Sequence, residues 1–391
     1  MARARPSAIV LGLLFAVAAA AAGVWWYLHP TPGPLRLHKA DFADLDGWTA
    51  SNPVLALAAF RQSCTQLAGK PDNEAMAYGG HVANWRPSCA AAANADPAKA
   101  RQFFETWFQP VRINAGRVEQ GRFTGYFEPE IKGARTAHGA FTIPVYGKPD
   151  DLIQVDLGAF RPALAGTRLA GHIEGKKLVP YETRAEIAAH GLKAPVLFYT
   201  DDAIELFFLH IQGSGRVTFE DGSSARVSYA AQNGQPYTAI GKTLIDRGVP
   251  RDGMSLQVIR GWLRAHPKDA AAVMNSDASY IFFSLEAIGD ARLGAKGAEG
   301  VPLTPTASVA VDPRLHALGT PFYIAGPAPL NRLLIAQDIG GAIRGVIRGD
   351  VYFGYGAGAE AQAGTMNQPG KMFALLPKPV VLHLADTGNL K

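Results

Sequence analysis

Three aspartates stand out by their surroundings. In "VAVDPRL", "IAQDIGG" and "IRGDVYF", Asp312, Asp338 and Asp350 each follow or enter an aliphatic, strand-like run. Asp338 and Asp350 lie twelve residues apart in "QDIGGAIRGVIRGDVYFG", a stretch made mostly of glycine and apolar residues. A carboxyl in such a place is partly desolvated, which raises its pKa and keeps it protonated nearer neutral pH, as a general acid requires. The competing reading is structural, because buried aspartates often accept hydrogen bonds from backbone amides in glycine turns. Gly340, Gly341, Gly345 and Gly349 let the chain turn tightly and let a bulky ligand approach it closely. One feature opposes the acid role: in a straight strand Arg348 shares a face with Asp350, and a nearby cation lowers a carboxyl pKa. A bulge at Gly349 would turn Arg348 away.

Other chemistries fit less well. "GYGAGA" at 354–359 ends in alanine where the dinucleotide fingerprint needs glycine, and no βαβ pattern surrounds it. "QGSG" around Ser214 lacks the first glycine of a nucleophile elbow. His210, inside an apolar run read as a strand, fits a satisfied core histidine better than a base. No CxxC, HExxH or close histidine pair appears, so no metal site and no cofactor is expected.

The elements that must carry these groups are mostly short strands. Two helices come first: one over 52–69, with Asn52 as N-cap, Pro53 at its first position and Gly69 at its end, and one started by Asp96 and Pro97 and ended by Pro110. The stripe Phe103, Phe104, Trp107 and Phe108 on the second reads as core. From about Gly116, β-type runs alternate with glycine and proline: "GRFTGYFEPEIKG", "FTIPVYG", "PVLFYT" and "AIELFFLHIQGSGRVTF", then an "EDG" turn and "SARVSYA". Thr183 and Glu186 form a capping box for a small helix, and helical periodicity returns from "GMSLQVIRGWLRAHP" to "AAVMNS". The last hundred residues are again β-rich. Many short strands with tight glycine turns predict a barrel or sandwich, and no repeat period recurs.

The chain has 391 residues, enough for two domains or one with a large insertion, with 48% hydrophobic and 18% charged residues. A formal charge of +5 with unclustered arginines and lysines argues against a nucleic-acid groove. Arg3 and Arg5 precede an uncharged run from Ala8 to Leu28 that ends in Trp25, Trp26 and Tyr27. That run is long enough to span a bilayer, and the alanines from Ala18 to Ala22 equally suit a cleaved export signal; both readings export the body of the protein. "HPTPGP" then reads as a spacer. Cys64 and Cys89 either stay free or close a loop of roughly two dozen residues, worth about 3 kcal/mol.

Several of these segments resemble, in one order, the membrane-bound lytic murein transglycosylase A family. They are "FTGYFEPEIKGART", "IELFFLHIQGSGRV", "YAAQNGQPYTAIGKTLIDRG", "SYIFF", "GVPLTPTASVAVD", and the three-aspartate module "DPRLHALGTPFYI", "QDIGGAIRG" and "GDVYFGYG". The similarity runs from about residue 115 to 376. It implies a mainly β fold with some α: a double-psi β-barrel from residues 35–127 plus 285–391, a smaller β-rich domain inserted at 128–284, and a groove between them, behind the leader and linker read at 1–34. It implies cleavage of the N-acetylmuramic acid to N-acetylglucosamine β-1,4 bond without water, giving 1,6-anhydro ends.

On that resemblance Asp350 is the single catalytic acid, then base. Asp338 is its supporting neighbour, and Asp312 is structural. Tyr126 and Tyr352 become candidate sugar platforms. Thr124, Gln212 and Ser214 become candidate donors to the sugar, beside Gly340 and Gly341. Peptidoglycan strands are the expected partner, with the membrane through 8–28 if that run is retained, and a wall-building complex as a further possible partner. Lipoprotein members carry a cysteine just after the signal. This chain has none before Cys64, which favours an inner-membrane anchor or a free periplasmic form over a lipid anchor. Two other functions stay open: a hydrolase on the same barrel using Asp338 as base, and a non-catalytic wall-binding module.

Overall fold

The computed structural model describes residues 31–164 and 167–391, so the apolar run 8–28 and the fate of the leader lie outside the described residues. The first strands are β1 (Leu35–Lys39), β2 (Phe108–Ala115) and β3 (Gly121–Glu128). The middle of the chain supplies β4 (Glu130–Gly133), β5 (Ile143–Tyr146), β6 (Ile153–Asp156), β7 (Arg168–Glu174), β8 (Lys177–Pro180), β9 (Val196–Thr200), β10 (Gly215–Phe219), β11 (Ser224–Gln232) and β12 (Ile281–Glu286). The last part adds β13 (Ser308–Val311), β14 (Pro321–Ala325), β15 (Arg332–Ile339), β16 (Arg348–Tyr355) and β17 (Asn367–Pro377).

Six of these close on themselves in the order β17, β14, β15, β13, β16, β3 and back to β17, a barrel of the kind the resemblance implied; β2 and β1 extend the sheet from β17. Closure removes the exposed edges an open sheet would leave. The pairs β13–β15 and β16–β3 are parallel and the other neighbours in the ring antiparallel. β13 and β14 are buried at every residue, as strands covered on both faces must be.

Helices cover the barrel. In Val54–Ala68, Pro53 occupies the cap position rather than the first turn, and Asn52 Oδ1 accepts from the Val54 amide at 3.2 Å. Its buried face carries Ala56, Leu57, Phe60, Ser63 and Leu67. Cys64 and Cys89 are bonded, joining this helix to Val82–Asn94. That second helix was not read in the sequence, because Pro87 inside it and four consecutive alanines blur its period. Ala100–Trp107 ends without Pro110, and the chain passes straight into β2. Pro110 sits in that strand beyond the last β1 partner, where it breaks no ladder with β1. Phe103, Phe104 and Phe108 are core, around Phe60.

The middle segment builds a four-stranded sheet, β12–β11–β10–β4, the pair β5–β9 and the small sheet β6–β7–β8. Here one expectation was wrong. Ala203–Gln212 is a helix, and only Gly215–Phe219 of that apolar run is a strand. Asp202 decides it by accepting from the Ile204 and Glu205 amides at 2.9 and 3.1 Å, while Gly213 at φ +78° ends the helix. An unbroken apolar run does not by itself distinguish buried helix from buried strand. His210 on this helix is core: it takes Arg184 Nη1 at 2.7 Å and stacks on Phe283.

The chain leaves the barrel at Glu128 and returns near Ala295, and both crossings meet one buried cluster. Glu128, fully buried, accepts from Arg216 Nε at 3.2 Å and from the Ala295 amide, with Arg226 Nε at 4.0 Å. Arg216 and Arg226 also donate to the carbonyls of Ala291, Leu293 and Gly294. A second tie joins the helix Gly356–Thr365, packed on the barrel, to Leu256–Ala265 through Arg260, Glu360 and Glu205. The two lobes are thus held together by charges at two separate places.

Candidate active site

The register of the barrel brings Asp338 and Asp350 into one row. Ala310 on β13 is the partner of Asp338 on β15 and of Asp350 on β16, and Asp350 is in turn the partner of Thr124 on β3. Paired residues project from the same face, so the row reads Asp338, Ala310, Asp350, Thr124 across four strands. Two strand spacings put the aspartate backbones roughly 10 Å apart, with the small, buried side chain of Ala310 between them. A bulge makes this possible: the β13–β15 ladder shifts between Val309 and Ala310, so that the extra residue, Gln337, is skipped and Asp338 stands opposite Ala310. Gln337 is fully buried, tied to Ala59, Ser63 and Ser308.

The two carboxyls differ in what holds them. Both oxygens of Asp338 accept: Oδ2 from the Tyr126 hydroxyl at 2.7 Å and Oδ1 from the Ala298 amide at 3.0 Å. Asp350 accepts on Oδ1 from the Thr124 hydroxyl at 2.5 Å, and among the described residues no side chain or loop amide takes Oδ2. Burial raises the pKa of both above the ordinary carboxylate range. For Asp350 the Thr124 bond and the charge of Arg348 work against that rise, and the charge of Asp338 adds to it. For Asp338 the Tyr126 and Ala298 bonds oppose it.

Arg348 is not turned away from Asp350. The β16–β3 ladder runs unbroken from Arg348 to Tyr352, so Gly349 makes no bulge. Instead the guanidinium is held among acceptors, with Nη2 on Thr124 Oγ1 at 2.8 Å and Nη1 on the carbonyls of Arg122 and Gly349. Thr124 therefore stands between the cation and the acid, accepting from one and donating to the other. Desolvation outweighs the cation, and the Asp350 carboxyl stays raised.

The remaining candidates divide. Tyr126 is half-buried beside Asp338, and its ring lies 5.3 Å from that of Tyr352. Tyr352 is fully buried, so it backs Tyr126 and offers no face to a ligand. Gln212 ends the helix that reaches β3, its Oε1 accepting from the Phe127 amide at 3.1 Å. Ser214 is half-buried in the next turn. Gly340 and Gly341 follow β15 directly after Ile339, itself 41% exposed. Asp312 is wholly buried, held by Arg314 and the Gly345 amide, and its carboxyl is pulled down to about 2 despite its burial. It is an ionised tie between two turns. Ala310 and the Ala298 amide were not anticipated; their roles depend on register and on a glycine loop, neither of which leaves a side-chain signature.

Comparison with known proteins fits this geometry. Residues 122–284 match the MltA specific insert domain and residues 307–376 the 3D domain. The chain is 33% identical over 302 residues to the membrane-bound lytic murein transglycosylase A of Escherichia coli (strain K12), covering 73% of each chain, and 33% identical over 299 residues to that of Vibrio cholerae, covering 72% of this chain and 71% of the other. Its fold superposes on a membrane-bound lytic murein transglycosylase from Agrobacterium tumefaciens with a TM-score of 0.79 at 30% identity, over 89% of this chain and 99% of that one. MltA from Neisseria gonorrhoeae gives 0.72 at 33%, over 87% and 92%. E. coli MltA with bound chitohexaose gives 0.63 at 27%, over 89% and 96%. At 33% identity over 73% of the chain, and with the MltA specific insert domain and the 3D domain matched in that order, the chain belongs to the membrane-bound lytic murein transglycosylase A family.

Proposed function

We propose that this protein is a peptidoglycan lytic transglycosylase in which Asp350 alone does the proton chemistry. The observation that carries the single-residue reading is the unequal bonding of the two carboxyls: Asp338 takes a donor on each oxygen, whereas among the described residues Asp350 takes a side-chain donor on Oδ1 alone. Burial shifts Asp350 toward its protonated form, and Thr124 fixes Oδ1 so that in this mechanism the acid proton sits on Oδ2. That proton passes to the glycosidic oxygen between N-acetylmuramic acid and N-acetylglucosamine as the C1–O bond breaks. The resulting carboxylate then takes the proton of the muramoyl C6 hydroxyl as that oxygen bonds to C1. The product is the 1,6-anhydro sugar, and the nearby hydroxyl replaces the water of a hydrolase.

Asp338 supports this by its charge, which raises Asp350 further, and by holding Tyr126 in place as a wall of the sugar site. Gln212, Ser214, Gly340 and Gly341 line the approach to the row in this reading. The glycan lies between the barrel, 35–127 plus 285–391, and the insert, 128–284. The family relationship puts the enzyme in the cell envelope; export to the periplasm and retention of 8–28 as an anchor are part of the proposal.

A two-aspartate hydrolase needs Asp338 free to activate water. Asp338 already takes one donor on each oxygen, and each such bond makes it a weaker base toward water. Asp338→Asn therefore separates the mechanisms: with one acid, the variant is expected to keep activity within about tenfold, because one supporting charge is lost and not the reacting group. Its alkaline limb in a pH–rate profile should move to lower pH, since the charge that raises Asp350 is gone. Complete loss of turnover by a folded variant would point to the hydrolase.

A further inference from the structure

The loop between Gly294 and Leu303 holds a carboxyl that this reaction does not use. The loop is clamped to the end of β15: the Ala298 amide donates to Asp338 Oδ1 at 3.0 Å, and the Glu299 amide to the Gln337 carbonyl at 3.0 Å. The approach is so close that a Cβ on Gly297 would overlap that carbonyl. The half-buried Glu299 side chain reaches the helix Val54–Ala68, where Ser63 Oγ donates to its Oε2 at 2.6 Å. Gln337 completes the circuit, its Nε2 donating to Ser63 Oγ at 3.0 Å and to the Ala59 carbonyl at 2.9 Å. The Glu299 side chain thus adds a tie to the covering helix for the loop whose amide holds Asp338.

We propose that Glu299 is a positioning residue for the reaction: its grip on Ser63 sets the Ala298 amide against Asp338 and so tunes the field at Asp350. The proposal rests on the roles given above to Asp338 and Asp350. Burial pushes the Glu299 carboxyl up to about 7, against the Ser63 bond, the charge of Lys70 and Gln337. Lys70 is the charged group facing it, and is itself paired with Glu74 at 2.7 Å; Ser63 and Gln337 face it as neutral groups. Above about 7 the carboxylate accepts a charge-assisted bond from Ser63, and below it the bond joins neutral groups and weakens. The hold on Asp338 thus tightens as pH rises through neutrality.

Glutamine copies the neutral form of Glu299, which gives the test its sign. On purified sacculi, kcat/KM of Glu299→Gln relative to the parent is expected near unity at about pH 6 and near one-fifth at about pH 8, with Tm equal to or above the parent's. Ser63→Ala should give the same pH-dependent shape, and the double variant should lose no more than either single one. A ratio that is flat with pH, or a Ser63→Ala profile parallel to the parent's, overturns the proposal. Should Glu299→Gln fold poorly, the Ser63→Ala profile decides alone. Asp350→Asn run on the same sacculi separates the two levels: full activity there would remove the reaction itself, whereas a dead Asp350→Asn with a flat Glu299→Gln ratio would remove only the role of Glu299.

Discussion

Replacing Asp350 by Asn is expected to lower kcat/KM on intact sacculi by about a thousandfold or more, with glycan binding kept. General acid–base help from one side chain contributes about a hundred- to ten-thousandfold, and in the proposed mechanism one residue serves both proton transfers, so the upper part of that range applies. Asn has nearly the shape of Asp and can still accept from Thr124, so the row of side chains should survive. Stability should not fall. Burial raises the Asp350 pKa, which means that folding disfavours its ionised form, and above the ordinary carboxylate range an amide that never ionises escapes that cost. A Tm equal to or above the parent's, together with lost turnover, separates a chemical defect from unfolding. A variant that digests sacculi within about tenfold of the parent would show that the carboxyl is not the acid.

Glu128→Ala should be the most damaging single change to stability, at about 3–5 kcal/mol. Glu128 is wholly buried where the chain passes between the lobes, and its carboxylate faces two guanidinium groups of which Arg216 is 6% and Arg226 9% exposed. Removing it leaves two desolvated cations whose remaining hydrogen-bond partners are carbonyls, with Tyr355 stacked on Arg216, at a place where both crossings converge. Glu128→Gln, which keeps the volume and part of the hydrogen bonding, should cost less. Chemical denaturation of the two variants provides the check; equal stability of Glu128→Ala and the parent would mean that water or a backbone shift satisfies the arginines. Because this cluster also fixes how the insert meets the barrel, the Gln variant should raise KM for long glycans more than it lowers kcat.

The candidate carboxyls were legible in the sequence, but their arrangement was not. Asp338 and Asp350 announce themselves as carboxyls in aliphatic runs, and the motifs around them led to the barrel. What places them in one row is the shift that skips Gln337, and a bulge depends on partners far away in the chain. The segment 203–212 was misread because ten mostly apolar residues satisfy a buried strand as well as a buried helix, and the deciding signal was the cap, Asp202, just outside the run. Arg348 was correctly seen as a threat to a raised pKa. The resolution, a threonine from a strand more than two hundred residues away that accepts from the arginine and donates to the acid, requires the parallel pairing of β16 with β3. Tyr352 illustrates the opposite error: an aromatic beside a reactive aspartate reads as a ligand surface until its burial is known.

Digestion of sacculi in water enriched in oxygen-18, followed by mass analysis of the released muropeptides, tests the single-carboxyl mechanism most directly. Attack by the C6 hydroxyl should give anhydro ends that contain no heavy oxygen and weigh one water less than reducing ends. Reducing ends that carry oxygen-18 at C1, formed at the rate of bond cleavage, would contradict it and make the enzyme a hydrolase.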